Sequence, residues 1–493
     1  MGISQLDSES GIAASRISRR TFLTIGAAAG GGLLLGFSLL DCARDGGQTG
    51  AVFEPNAFIR IGGDGRVTMF MPQIEMGQGT YTSIPMLIAE ELEVDLPSVT
   101  VEHALPNDKL YGISLLGFQA TGGSTSIRGW WKPLREAGAA ARMLLVSAAA
   151  TQWKVEPTAC TAAHGEVTHS ATGRHLPYGA LAAAAATLPL PKDIPLKDPK
   201  DFTLIGTPVK RLDAPGKVNG TAQFGIDARV PGMRIATVAA CPVLGGTLAS
   251  VDDSKAKAIA GVRQIVQIEN AVAVVADHMW AAKQGLAALD IKWNEGVNAT
   301  LTTEDIAHEL EAASVKPGVV ARNDGDVHAG LAHATKKIEA VYELPYLAHA
   351  TMEPMNCTVH VQKDSCDIWV GTQVITRAQA TGAAVTGLPL DKVRVHNHLL
   401  GGGFGRRLEV DFITQAVQFA KQVDGPVKVV WTREEDIQHD IVRPYYHNRL
   451  IAGVDAHGIP VSWNHRVTGS SIELRWIPQA VKNGLDDDAV EET

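Results

Sequence analysis

Four short segments hold the residue types from which a site can be built. Glu75-Met-Gly-Gln-Gly-Thr stands just ahead of a stretch patterned as a helix. Glycines in such a place let backbone amides approach an anion at a helix N-terminus, with Gly79 at the entry and Gln78 able to donate and accept. Thr121-Gly-Gly-Ser-Thr-Ser precedes a second helical stretch and offers the same geometry, with the hydroxyls of Ser124 and Thr125 added beside Gly123. Gly401-Gly-Gly-Phe-Gly-Arg-Arg follows a strand, and four glycines in five positions suit a nest of N–H groups around Gly403, Phe404 and Gly405. Arg406 and Arg407 add positive charge beside it, and Gln373, ending the strand in Trp369-Val-Gly-Thr-Gln, is placed to point into a cleft. Each segment alone also reads as a tight turn or a helix cap. Three anion-cradling loops together point to a large phosphate-bearing cofactor held by main-chain amides.

Other chemistries find no purchase. Gly216-Lys217 is followed by Val218 and has Arg211 where a phosphate-binding P-loop needs glycine. His308-Glu309 has Ala312 in place of the second zinc histidine, and no G-x-S-x-G elbow occurs. His396-x-His398 would set two imidazoles on one strand face as a metal pair, but without a third ligand it reads as a polar strand edge. The five cysteines (Cys42, Cys160, Cys241, Cys357, Cys366) are scattered and form no CxxC, so no iron–sulfur cluster, covalent haem or structural zinc is expected in this chain.

The elements that must position these loops follow from periodicity. Phe58 to Phe70 reads as two strands around a Gly-Asp-Gly turn. Residues 82–92 are helical, and 133–153 form a long Ala-rich amphipathic helix. Residues 188–199 hold four prolines among Lys and Asp, which predicts a linker and a domain boundary. Between 207 and 295 comes a strand–helix–strand pattern, with β-branched runs at 264–268 and 271–276, a helix over 278–289 and a strand at 290–293. Further strands are expected at 340–344, 357–361, 367–370, 393–396, 427–431 and 449–454. The class is α+β, without the strict alternation of a dinucleotide-binding fold.

At 493 residues the chain allows about three domains. Hydrophobic residues at 45% and charged residues at 20% place it among globular proteins. A net charge of -9 with no basic run argues against a nucleic-acid partner. Ser18-Arg19-Arg20-Thr21-Phe22-Leu23 ahead of an uncharged stretch reaching Leu40 matches a twin-arginine export signal, with Thr24 where lysine is usual. The expected location is the periplasm or the periplasmic face of the inner membrane. Those apolar residues are also enough to span a bilayer, so N-terminal membrane association belongs to the same expectation.

With these segments in order, the chain resembles the molybdenum-binding large subunits of the xanthine dehydrogenase and aldehyde oxidase family, and within it the isoquinoline 1-oxidoreductase beta-subunit type. Glu75 to Gly79 with Ala89-Glu-Glu-Leu is similar to the loop and helix that contact the pyranopterin, and Thr121 to Ser126 to the loop around the phosphate end. Gly401 to Gly405 resembles the loop passing the molybdenum, and Gln373 the glutamine near its oxo ligand. Arg211-Leu-Asp-Ala-Pro-Gly-Lys is similar to the opening of an α/β hammerhead domain. Residues 344–355 and 431–437 are further shared stretches.

The resemblance implies a molybdopterin-binding domain split around an inserted hammerhead: signal and linker over 1–50, cofactor region over 51–200 and 310–493, hammerhead over 205–300. It implies a molybdenum–molybdopterin cofactor in its cytosine dinucleotide form, and hydroxylation of an N-heterocyclic aromatic or an aldehyde with oxygen from water. A separate small subunit with iron–sulfur clusters would take the electrons. Residues 75–79, 121–126, 373 and 401–406 would bind the cofactor. The general base would be a glutamate beyond the segment near 470, so the chain is expected to be a C-terminally truncated subunit. The alternative is a non-catalytic fragment lacking the base; Glu75, Glu353 and Glu409 are weaker candidates for that role.

Overall fold

The computed structural model describes residues 52–490, so the export signal and linker expected over 1–50 lie outside the described residues. Two compact units divide the described chain: residues 52–233 with 356–429, and residues 234–355 with 430–490.

The first unit opens with β1 (Val52–Asn56), β2 (Ile59–Gly62) and β3 (Val67–Met71), an antiparallel meander, and β4 (Thr100–His103) joins β3 in parallel. The turn expected between β2 and β3 is there, with the Arg66 N–H donating to the Asp64 carboxylate at 3.0 Å. Between β3 and β4 runs α1 (Thr80–Leu92), so the three form a strand–helix–strand crossover. Ile84, Leu87, Ile88 and Leu92 of α1 bury against Ile59, Ile61, Met69 and Met71.

The long helix α2 (Thr125–Trp153) begins two turns before the expected start, with Pro133 inside it. Proline donates no N–H, so the Gly129 carbonyl lacks its helical donor there. Ala137, Gly138, Ala139, Ala140 and Ala141 are all buried. Small residues let α2 approach α1 closely: a Cβ on Gly138 would lie 2.5 Å from the Ile88 carbonyl oxygen.

Two carboxylates of α1 are fully buried and organise the Pro-rich segment. Glu91 accepts from Arg135 Nε at 3.0 Å and Nη2 at 2.7 Å, binding α1 to α2, and from the Lys197 N–H at 3.2 Å. Glu90 accepts from Lys197 Nζ at 2.8 Å and from the amides of Thr203, Leu204 and Ile205. Residues 197–205, which begin inside the segment expected to link domains, therefore form a strap across α1, because two buried anions demand donors and the strap's backbone supplies them.

The second half of this unit is a sheet ordered β8-β5-β6-β7, made of β5 (Asn356–Val361), β6 (Cys366–Val370), β7 (Val393–Asn397) and β8 (Val427–Val430). β5 and β6 are antiparallel, whereas β6 and β7 are parallel and joined by α3 (Ile375–Thr386), a second crossover. α4 (Asp411–Ala420) buries Phe412, Ile413, Ala416 and Val417. Loops leaving the carboxyl ends of parallel strands are where α/β folds place ligands, and both crossovers provide such ends.

The second unit carries an antiparallel sheet in which Ala271–Ala276, wholly buried, pairs with Arg234–Ala240 and Val262–Ile268. The helix Met279–Ala287 packs on it, and a Cβ on Gly285 would meet Val274 at 2.7 Å. Thr247–Asp252 pairs with Asp290–Asn294, and Lys336–Leu344, Tyr446–Val454 and Pro460–Gly469 form a three-stranded sheet. The motif stretches 344–355 and 431–437 interlock: Arg433 donates to the Thr351 and Met352 carbonyls, and the Trp431 N–H to Met355. Residues 205–233 of the segment resembling a hammerhead belong to the first unit and 234–300 to the second. Among the described residues no helix is long and apolar enough to cross a membrane.

Burial pushes the Glu90 carboxyl up, but Lys197 and the three strap amides outweigh it and hold the group at about 2. A folded-state value below the unfolded ~4.3 stabilises fully above about pH 4.5, and the contribution is lost as pH falls toward 2. Glu90→Gln is expected to cost about 3–5 kcal/mol at neutral pH by stranding Lys197. It should also shrink the difference in urea midpoint between pH 7 and pH 3, which measurement of the two midpoints checks.

Candidate functional site

Gln373 lies just past the end of β6 and is buried. Its backbone N–H donates to the Arg407 carbonyl at 2.9 Å and its carbonyl accepts from the Thr121 N–H at 3.0 Å. Its side-chain Nε2 then donates to the Thr121 carbonyl at 2.7 Å. A carbonyl can only accept, so this bond fixes which way the amide faces. Oε1 is left buried with no donor among the described residues. Gly403 lies directly against it: a Cβ there would sit 2.7 Å from Oε1 and would also strike Met76 Sδ. Met76 belongs to the first loop, whose Ile74 N–H donates to Thr121 Oγ1 at 2.9 Å and whose Glu75 carbonyl accepts from Leu400 at 3.3 Å. Segments near 75, 121, 373 and 403 are thus brought to one place in the first unit.

The first loop is closed by its own anion. Glu75, 1% exposed, accepts through Oε1 from the Gly77 N–H at 2.7 Å and the Gly79 N–H at 3.1 Å, and through Oε2 from Tyr81 at 3.0 Å. Arg211 Nη2 at 2.8 Å and Lys217 Nζ at 3.7 Å complete the cage, and Arg211 also donates to the Gly77 carbonyl. Asp213 bridges the two cations. Burial pushes its carboxyl up, but hydrogen bonds and charge from Arg211 and Lys217 prevail and hold it at about 2. The amides expected to meet an external anion at the start of α1 are therefore taken by Glu75, which has no other acceptable burial. Gly79 is among them. Gln78 is exposed, and its amide bonds within the loop, Oε1 to the Met76 N–H and Nε2 to the Ile74 carbonyl.

The other two loops are open. The N–H groups of Gly122, Gly123 and Ser124 meet no acceptor among the described residues, and Thr125 closes the turn by donating from Oγ1 to the Gly122 carbonyl at 2.6 Å. Ser124 holds φ at 50°, a left-handed conformation that costs a non-glycine residue about 1–3 kcal/mol. Around Gly403, Gly402 and Gly405 have φ of 107° and 104° and Phe404 57°, and the amides of all four residues likewise find no acceptor among the described residues. Left-handed backbone at Gly402, Phe404 and Gly405 is the kind of conformation from which nests for anionic oxygens are built. Phe404 stands 73% exposed at the tip.

Arg406 and Arg407 do not lend the nest free charge. Arg406 is buried and holds Asp411 through two bonds of 2.8 and 2.9 Å, while Arg407 donates to the Gly402 and Gly371 carbonyls and so shapes the loop from beneath. The two histidines of His396-x-His398 sit differently on the backbone. His396 stacks on Trp369 at 4.8 Å and bonds Asp367, whereas His398 lies past the end of β7. Among the described residues no group of three or more His, Cys, Asp or Glu could hold a metal ion. Reading the sequence missed the Arg211–Lys217 cage, whose partner lies 136 positions away, and Asn397, which lay between two histidines of more obvious chemistry.

Two family models described as a molybdopterin cofactor-binding domain match residues 26–230 and 311–470. The first contains the loops near 75 and 121, the second Gln373 and the nest. The chain is 32% identical over 476 residues to isoquinoline 1-oxidoreductase subunit beta of Brevundimonas diminuta, covering 87% of this chain and 61% of that protein. It is 32% identical over 463 residues to a membrane-bound aldehyde dehydrogenase (pyrroloquinoline-quinone) of Gluconacetobacter polyoxogenes, covering 89% and 59%. The chain thus spans about three fifths of the length of these curated relatives. Quinoline 2-oxidoreductase from Pseudomonas putida 86 superposes at a TM-score of 0.43 with 17% identity, over 53% of this chain and 39% of that one, too loosely to bear on the fold.

Two substitutions separate the closed loop from the open one. Glu75→Gln removes the charge that five donors surround, and a loss of about 3–5 kcal/mol is expected. Faster amide exchange at Gly77, Gly79 and Tyr81 would accompany it. Gly403→Ala forces Met76 or Gln373 aside and should cost about 1–3 kcal/mol by overpacking. Urea unfolding of each variant checks the magnitudes, and exchange localised by mass spectrometry checks the positions.

Proposed function

The chain belongs to the xanthine dehydrogenase/aldehyde oxidase family of molybdopterin-binding subunits, and from that premise we propose that it is the large subunit of a molybdenum hydroxylase. The observation that carries this reading is the convergence of two amide-rich loops on Gln373. The seven N–H groups of residues 122–124 and 402–405 suit the oxygens of a phosphate-bearing pterin. Gln373 Oε1, buried and lacking a donor among the described residues, suits an N–H or O–H of the same group. Such a cofactor brings ligands for its own metal, and the donor set here is one of amides rather than of metal-ligating side chains. When bound, molybdopterin supplies a two-electron redox centre.

The substrate class in this reading is an N-heterocyclic aromatic or an aldehyde, hydroxylated with oxygen from water, with Phe404 as the exposed apolar contact at the loop tip. A general base of matched pKa is required. Glu75 does not serve, since it is buried and held as an anion by the Gly77, Gly79 and Tyr81 amides and by Arg211. The base is therefore another carboxylate. Electrons leave to an iron–sulfur small subunit, the pterin takes the cytosine dinucleotide form, and residues 205–300 correspond to the hammerhead of the family. The Arg19-Arg20 signal supports export of the folded, loaded protein to the periplasm.

Elemental and nucleotide analysis of the protein purified from its native host tests the reading. About one molybdenum and one released cytidine nucleotide per chain are expected. A folded protein with neither overturns it.

A further inference from the structure

Behind Gln373 stands a second polar pair that no motif announced. Asn397, the last residue of β7, accepts from the Thr372 N–H through Oδ1 at 3.2 Å and donates from Nδ2 to the Thr372 carbonyl at 3.3 Å. The remaining hydrogen of Nδ2 is directed to His103 Nε2 at 3.1 Å. Both ends of the Asn397 amide are thus determined by their partners: reversing it would set N–H against N–H at Thr372. His103 ends β4, the parallel neighbour of β3, whose own end leads into the Glu75 loop. Its ring stacks on Tyr81, the residue whose amide caps Glu75.

Accepting at Nε2 requires a neutral imidazole protonated at Nδ1. Burial favours that state, pushing the ring down to about 4. Nδ1 is itself buried and has no partner among the described residues. Deforming this arrangement would release Asn397 from one side and loosen its hold on Thr372, so that the turn opens more often while the Thr121 bonds still clamp Gln373. That turn is otherwise held by Thr372 Oγ1 on the Arg407 carbonyl at 3.2 Å and by the Gln373 N–H on the same carbonyl.

We propose that His103 is a positioning residue, a neutral hydrogen-bond acceptor that fixes Asn397 and, through it, the turn presenting the Gln373 amide to the cofactor. The proposal rests on the reading of the loops around Gln373 as the cofactor site. It makes the end of β4 part of that site without contact with the ligand, and it gives the β4–β7 junction a role beyond packing.

The test uses the full chain isolated from its native host with whatever partners it retains. His103→Phe keeps an apolar ring and deletes the acceptor, His103→Gln restores an acceptor, and Asn397→Asp deletes both donors while keeping the acceptor for the Thr372 N–H. Amide exchange of peptides covering residues 120–123 and 371–374 is expected to quicken about tenfold in His103→Phe and Asn397→Asp, the scale of one lost hydrogen bond. His103→Gln should stay within about twofold of wild type, and melting temperatures should differ by only a few degrees. Molybdenum per chain should fall in His103→Phe and Asn397→Asp and be retained in His103→Gln. Unchanged exchange in His103→Phe overturns the proposal, as does a folded His103→Gln that exchanges as fast as His103→Phe. If His103→Phe does not fold, Asn397→Asp against wild type decides by the same exchange. Wild-type protein lacking molybdenum would overturn the cofactor reading instead, while the exchange data would still judge the positioning role.

Discussion

Two hydrogen bonds between Gln373 and Thr121 join parts of the chain 252 positions apart, and the geometry of the candidate site hangs on them. One runs from the Thr121 N–H to the Gln373 carbonyl, the other from the Gln373 side chain back to the Thr121 carbonyl. Such a reciprocal pair leaves neither residue freedom to rotate. It also determines that the amide shows its oxygen to the site. Gly403 can lie against that oxygen only because it has no side chain. The Ile74 N–H bond to Thr121 Oγ1 carries the first loop to the same point. Remove this clamp and the loops remain individually well formed, but nothing would place them together.

Buried acids are treated in two ways that share one logic. Glu75, Glu90 and Glu91 are all inside; Glu75 and Glu90 each collect three backbone N–H groups as well as a cation, while Glu91 takes one, from Lys197, beside the Arg135 guanidinium. Amides are fixed donors whose cost of ordering is already met by the secondary structure, so they stabilise a carboxylate without a long side chain to immobilise. Glu90 and Glu91 use that scheme to hold a strap on α1. Glu75 uses it to shape the loop beside the cofactor nest. The cations that follow, Lys197, Arg135 and Arg211, arrive from distant sequence and lock the tertiary arrangement that the amides only permit.

Much of this fold is legible in the chain because it rests on local signals. The β-branched run at 271–276 is a strand with those bounds, and the expected strands at 357–361 and 367–370 are β5 and β6 to within one residue at their starts. The loops near 75, 121 and 401 were visible as glycine clusters. Their state was not. Nothing in Glu75-Met-Gly-Gln-Gly says whether its amides face an outside anion or the glutamate at its head, since that depends on Arg211 being folded over it. Arg406 and Arg407 looked like free charge for the same reason: Asp411 and the carbonyls of 371 and 402 become their partners only in three dimensions. Pro133 misled in another way. A proline suggests a helix start, but the two turns before it, at 125–132, are helical and pack Trp130 into the core.

The contrast between the closed loop and the open nest is itself informative about what a ligand must be. If all three glycine segments merely capped helices, each would satisfy its amides internally, as the Glu75 loop does with a carboxylate from its own sequence. Thr121 to Ser126 and Gly401 to Gly405 contain no acid that could do the same. They adopt costly left-handed backbone at Ser124 and Phe404, yet gain no acceptor for these amides among the described residues. Strain without an internal partner is stable only where the surrounding structure over-determines it, and here Gln373 and Arg407 do so from beneath. The free energy that holds these amides outward is recovered when an anion with several oxygens arrives. A group offering oxygens to both loops at once, together with a donor for Gln373 Oε1, satisfies every open position that the clamp has brought together.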